Sequence, residues 1–198
     1  MSFSTLQRYT LIILTHVPWP HWVVMGLLSL ALTIILLFQK RHSFYGAICL
    51  GISAFIGLFL LDAAVLSRLS GTAPPKNGFS LSMEYNRLIH GGAVRWTEML
   101  ANVLVFVPFG LFLTEFLASG KKFSAGPRQG LATLFGFVLS LCIESFQLVL
   151  RVGVFELTDL VMNTLGTFVG TGVAVVLRRF LLSLALGRND NKEISSLR

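Results

Sequence analysis

Five long and almost wholly apolar stretches recur along the chain, at residues 22–38, 44–66, 96–117, 129–150 and 155–177. A helix rises about 1.5 Å per residue, so about 20 apolar residues reach across the hydrocarbon of a bilayer. Backbone groups there have no water to bond, and a helix satisfies them within its own segment. The pattern therefore predicts an all-α integral membrane protein, a bundle of five transmembrane helices forming a single membrane domain over residues 1–198. Composition agrees: 54% of the 198 residues are hydrophobic and 13% charged, where a soluble domain carries about a quarter charged residues. The formal net charge of +7 would point to nucleic acid in a soluble chain. In one this apolar it reads as basic loops that set membrane orientation, so no nucleic-acid partner is expected.

Between the spans the sequence gives several local expectations. The run Leu11 to Leu14 is too short to cross, and Pro18, Trp19, Pro20, His21 and Trp22 form a cluster typical of the headgroup zone. An N-terminal segment lying on the membrane is the reading, and no secretory signal is recognisable. Asp62, near the far end of the second span, reads as a solvated end residue. The longest polar connection covers residues 67–96, with a turn signal at Pro74-Pro75-Lys76-Asn77-Gly78. Phe79, Leu81, Met83 and Tyr85 then alternate with Ser80, Ser82, Glu84 and Asn86, a period of two that predicts an extended surface segment in this outer loop. Pro108 is expected to kink or break the third helix. Residues 178–198 form a charged, mobile tail on the cytoplasmic side. Cys49 and Cys142 fall inside apolar runs and read as core residues without a disulfide. No Cys/His spacing predicts a metal site, and no cofactor is implied.

The basic residues orient the bundle. With the first loop cytoplasmic, one side holds ten: Lys40, Arg41, Lys121, Lys122, Arg128, Arg178, Arg179, Arg188, Lys192 and Arg198. The other side holds six: Arg8, Arg68, Lys76, Arg87, Arg95 and Arg151. The bias places the N-terminus outside and the C-terminus in the cytoplasm. Asp62, Asn102, Glu144, Gln147, Asp159 and Asn163 then all lie in the outer half of the membrane, beneath the 67–96 loop. Only Glu115 falls at the cytoplasmic end. An outward-facing polar pocket lidded by that loop is the expectation.

Its walls are the last two spans. Ser140, Glu144, Gln147 and Arg151 are spaced 4, 3 and 4 apart, and so are Asp159, Asn163, Gly166 and Gly170. Each set stacks along one helix face. A short connection makes the two spans antiparallel neighbours, so the stripes face each other. A buried charge here needs a partner, and the candidates for Glu144 are Arg151 and Asn163. Asp159 also lies close enough to a helix start to complement its dipole. Gly166, Gly170 and Gly172 read as small residues that let two helices approach. Arg87 and Arg95 read as ordinary interfacial arginines.

Three phrases, in order, carry a resemblance: Asn102 to Gly110 (NVLVFVPFG), Glu144-x-x-Gln147, and Asp159 through Asn163 to Gly166 and Gly170. Over residues 80–177 the chain resembles the VanZ-like family of small bacterial membrane proteins, a plasma-membrane location. The family is named for a member of glycopeptide-resistance gene clusters associated with reduced teicoplanin susceptibility. The resemblance implies importance for Asn102, Pro108, Gly110, Glu144, Gln147, Asp159, Asn163 and Gly166. One departure is plain: where members often carry arginine six residues before the aspartate, this chain has Gly153. Arg151 is the nearest basic residue, and Glu156 fits the place of a common acidic one.

The resulting expectation is an envelope protein whose pocket (Asn102, Glu144, Gln147, Arg151, Asp159, Asn163) binds a membrane lipid, a lipid-linked cell-wall precursor or a glycopeptide. Pro108, Gly110, Gly166 and Gly170 shape the scaffold. Three other readings compete. An intramembrane enzyme on lipid-linked precursors would use Glu144 and Asp159 as acid and base. A proton-coupled transporter would need carboxylates at both faces. A structural or accessory protein would use the stripes as glue.

Overall fold

Each apolar run is one helix in the computed structural model, which describes residues 17–39, 43–69, 78, 81–120 and 124–196. In chain order the helices are α1 (Trp19–Phe38), α2 (Phe44–Leu61), the short α3 (Leu81–His90), α4 (Gly92–Ser119), α5 (Ala125–Val149) and α6 (Leu157–Ser196). All but α3 are long and apolar enough to cross a membrane, which bears out the five-span, all-α reading. No strand occurs among the described residues. The expected interfacial segment before Val17 lies outside the described residues, as does most of the turn at 74–78.

The starts follow from local chemistry. Pro20 sits in the first turn of α1, where a missing N–H costs no helical bond. Ser43 caps α2, its hydroxyl accepting from the Gly46 N–H at 3.1 Å. Gly92 is left-handed at φ 54° and turns the chain from α3 into α4.

Packing centres on α4, which lies against α2 on one side and α6 on the other, while α5 backs onto α6 and α1 leans on α2. In lipid no hydrophobic force draws helices together, so close backbone approach has to hold them. The α4–α6 seam provides it. A methyl group built on Gly166 would strike the Val103 carbonyl, one on Gly170 the Val107 carbonyl, and one on Gly110 the backbone of Thr167. Gly172, grouped with these by spacing, faces open space instead. Thr167 and Thr171 have no exposed surface, Thr167 with its side chain against Gly136 of α5, and their hydroxyls bond back to their own helix at Asn163 O (3.1 Å) and Phe168 O (2.7 Å). Beside this seam, Phe106 joins Leu60, Val65 and Ile143 in a buried apolar cluster.

Two expectations are corrected. The alternating segment is not extended: residues 81–90 are helical. Beyond Asn86 the pattern becomes helical, with Glu84 and Arg87 one turn apart on the side that meets α6 and Tyr85, Leu88 and Ile89 exposed on another. Tertiary ties decide the conformation, and a period of two read over eight residues does not. Pro108 does not break α4, which is helical on both sides of it and across it. The segment after Arg178 continues α6 as helix to Ser196.

Candidate functional site: a polar cluster at one end of the bundle

The connection between α5 and α6 builds the site. It opens with a Schellman turn: Val152 N–H donates to Gln147 O at 3.0 Å and Arg151 N–H to Leu148 O at 3.3 Å. Arg151 occupies the left-handed position of that turn, at φ 59°, and its side chain is exposed. It does not reach Glu144. Gly153 follows, buried, and a Cβ there would lie 3.1–3.2 Å from the Gln147 side chain. Gln147 thus packs closely against this position.

The polar stripe of α5 ties this turn down. Glu144, 3% exposed, accepts the Glu156 N–H at 2.8 Å. Gln147 donates to the carbonyl of Ala64 at 3.1 Å. That carbonyl belongs to Asp62–Leu66, where the end of α2 widens into a π-helix; such a bulge disrupts the regular ladder and leaves carbonyls for outside donors. One turn deeper, Asn163 of α6 donates to Ser140 at 2.9 Å, so its partner on α5 is Ser140 and not Glu144.

The positive charge of the cluster comes from α4. Arg95, 4% exposed, directs its Nη1 at Glu156 (2.8 Å), Glu98 (3.3 Å) and Asp159 (3.6 Å). Arg87 of α3 pairs with the same Glu156 and lies 3.7 Å from Glu98. Glu84 of α3 accepts from the backbone and hydroxyl of Thr158 in the first turn of α6, the hydroxyl at 2.7 Å. Asn102 lies nearly three turns into α4, on the Asp159 side of the cluster. So α3 straps the end of the bundle, and three helices bring their charges to one point.

The two arginines read as interfacial are the cationic centre, and Glu98 and Glu156 complete it. A signal was present for Arg95 and Glu98: an i, i+3 pair of opposite charge at the mouth of a span. Asp62 also departs from expectation. It is 3% exposed and takes His21 of α1 as partner at 2.7 Å, a contact 41 residues apart in sequence. At the other end of the bundle Glu115 is held by Arg178 at 3.5 Å and by the Tyr45 hydroxyl at 3.1 Å.

Several buried polar atoms in the cluster have no hydrogen-bond partner: Arg95 Nε and Nη2, Asp159 Oδ1 and Asn163 Oδ1. Such atoms cost roughly 1–3 kcal/mol each.

Comparison with known proteins agrees with the region these helices occupy. A family profile described as VanZ/LLP1 matches residues 63–178, from the π-helical end of α2 to α6. Over 73 residues the chain is 37% identical to Protein VanZ of Enterococcus faecium, covering 37% of this chain and 41% of that one. The match therefore spans less than half of the relative's length. No solved structure matches the chain.

Proposed function

The chain belongs to the VanZ/LLP1 family, and from that premise we propose a multi-pass envelope protein whose polar cluster faces outward and engages a lipid or cell-wall-related ligand, with an effect on teicoplanin susceptibility. The observation that carries this reading is the charged cluster itself. Ionisable groups within membrane spans are rare and mark function by default, yet Arg95, Glu98, Glu144 and Asp159 all lie in spans, at one end of the bundle. Glue alone would leave such groups fully paired, and here Nε and Nη2 of Arg95 are not.

Within the cluster the roles divide. Gln147, Asn163 and Glu144 position the α5–α6 connection, while Arg95, Asp159 and Asn102 present polar groups to a ligand. Binding fits better than acid–base chemistry, because Glu144 already accepts the Glu156 N–H and Asp159 faces a guanidinium.

The test is expression in a teicoplanin-sensitive host. Wild type is expected to raise the inhibitory concentration severalfold, and Asp159→Asn to lose that effect at equal abundance in the membrane. Equal susceptibility with wild type and with empty vector would sink the proposal.

A further inference from the structure

Arg95 uses one nitrogen for everything the protein offers it. Glu98, Glu156 and Asp159 all approach Nη1, whereas Nε and Nη2 are buried without a hydrogen-bond partner. In a guanidinium, Nε–H and one N–H of Nη2 point the same way and form the fork that grips two oxygens of a carboxylate or phosphate. The side chain is 4% exposed, so this free fork is a fixed feature of the interior and not a solvated surface group.

The surroundings narrow the ligand. Two guanidiniums, of Arg87 and Arg95, face three carboxylates, of Glu98, Glu156 and Asp159. A simple anion on the Arg95 fork would deepen that excess of negative charge. A group carrying its own positive charge would relieve it, and Asp159 Oδ1 is buried with only the Arg95 guanidinium near it, 3.6 Å away and without a hydrogen bond. The depth is that of a headgroup. Arg95 lies in the first turn of α4, and its neighbours Val94 and Trp96 are exposed apolar side chains at the rim of the lipid-facing surface.

We propose that this fork receives the phosphate of a lipid headgroup that also bears a primary ammonium, with the ammonium against Asp159 and Glu156. The assignment names the ligand class for the cluster and rests on the outward, ligand-binding reading above. The helix α3, tied across the site by Glu84 and Arg87, is the element a headgroup has to pass.

The experiment is native mass spectrometry of the delipidated full chain after adding back equal amounts of phosphatidylethanolamine, phosphatidylglycerol and phosphatidylcholine. Wild type is expected to hold phosphatidylethanolamine with a roughly tenfold preference, the scale of one charge-assisted hydrogen bond. Phosphatidylglycerol lacks the ammonium, and phosphatidylcholine has no N–H to donate. Arg95→Lys keeps a charge for the carboxylates but has no fork, and should lose the preference while melting close to wild type. Arg178→Lys, at the opposite end of the bundle, should retain it. Asp159→Asn removes the ammonium's acceptor charge and should bring phosphatidylethanolamine down to the level of phosphatidylglycerol, which decides the matter if Arg95→Lys does not fold.

Equal retention of the three lipids by wild type, or an unchanged preference in folded Arg95→Lys, overturns the inference. So does displacement of the lipid by a soluble zwitterionic dipeptide, which would reassign the fork to a peptide carboxylate. The susceptibility assay does not read lipid binding, so a chain that shifts susceptibility without headgroup preference overturns this inference alone.

Discussion

Gly153 leaves the α5–α6 turn without a charge at that position, and Gln147 packs beside it while reaching the Ala64 carbonyl. Arg95 supplies the charge from α4 instead, and it is the shared partner of Glu98, Glu156 and Asp159. Removing it leaves carboxylates facing one another in a site with little water. Arg95→Ala is therefore expected to cost about 3–5 kcal/mol, as breaking a buried pair from one side does. Pairing it with Glu156→Gln should recover part of that loss. Unfolding in mixed detergent micelles checks both, and an Arg95→Ala protein as stable as wild type would mean that the ion pairs hold nothing together. At this scale the sequence was half legible. Glu144, Gln147, Asp159 and Asn163 declared themselves by spacing, because polar groups at helical intervals in an apolar run have few other uses. Arg95 did not, because its position beside an interface has an ordinary explanation and its partners Glu156 and Asp159 lie far along the chain.

Among the elements, the spans were legible because a bilayer imposes length and apolarity together. The glycine stripe of α6 was legible for a similar reason, since a repeat of small residues has an obvious use where backbones touch. Its details needed coordinates: Gly166 and Gly170 meet carbonyls of α4, and Gly172 meets nothing. This difference is measurable. Gly166→Ala forces two backbones apart and should destabilise the bundle by about 1–3 kcal/mol, the usual range for overpacking. Gly172→Ala, placed in open space on the same helix, serves as the matched control and should leave the melting temperature unchanged or slightly raised. If both substitutions behave alike, the α4–α6 approach is not what holds these helices. The short helix α3 was misread as extended because alternation over 79–86 satisfied one period while the ties that fix the segment, Glu84 to Thr158 and Arg87 to Glu156, are tertiary. The break expected as one outcome at Pro108 does not occur: a missing N–H inside a packed bundle costs a hydrogen bond without costing the helix.

On the scale of the whole molecule, the question is which side of the membrane the cluster faces. The loop charges of the sequence predict α3 outside, and the cluster and its strap share one end while Glu115, Arg178 and Tyr45 share the other. Single cysteines on a background of Cys49→Ala and Cys142→Ala can decide it. Tyr85→Cys, on the exposed face of α3, should react with an impermeant maleimide added to intact cells. Ser183→Cys, exposed near the far end of the α6 span, should react only after the membrane is opened. The reverse pattern would turn Arg95 and Asp159 toward the cytoplasm. An outward ligand would then be out of reach, and an effect on a drug that acts outside the cell would have to pass through a product delivered across the membrane. The expected labelling keeps the cluster at the outer headgroup level, where a lipid or cell-wall ligand meets it directly and no translocation step is needed.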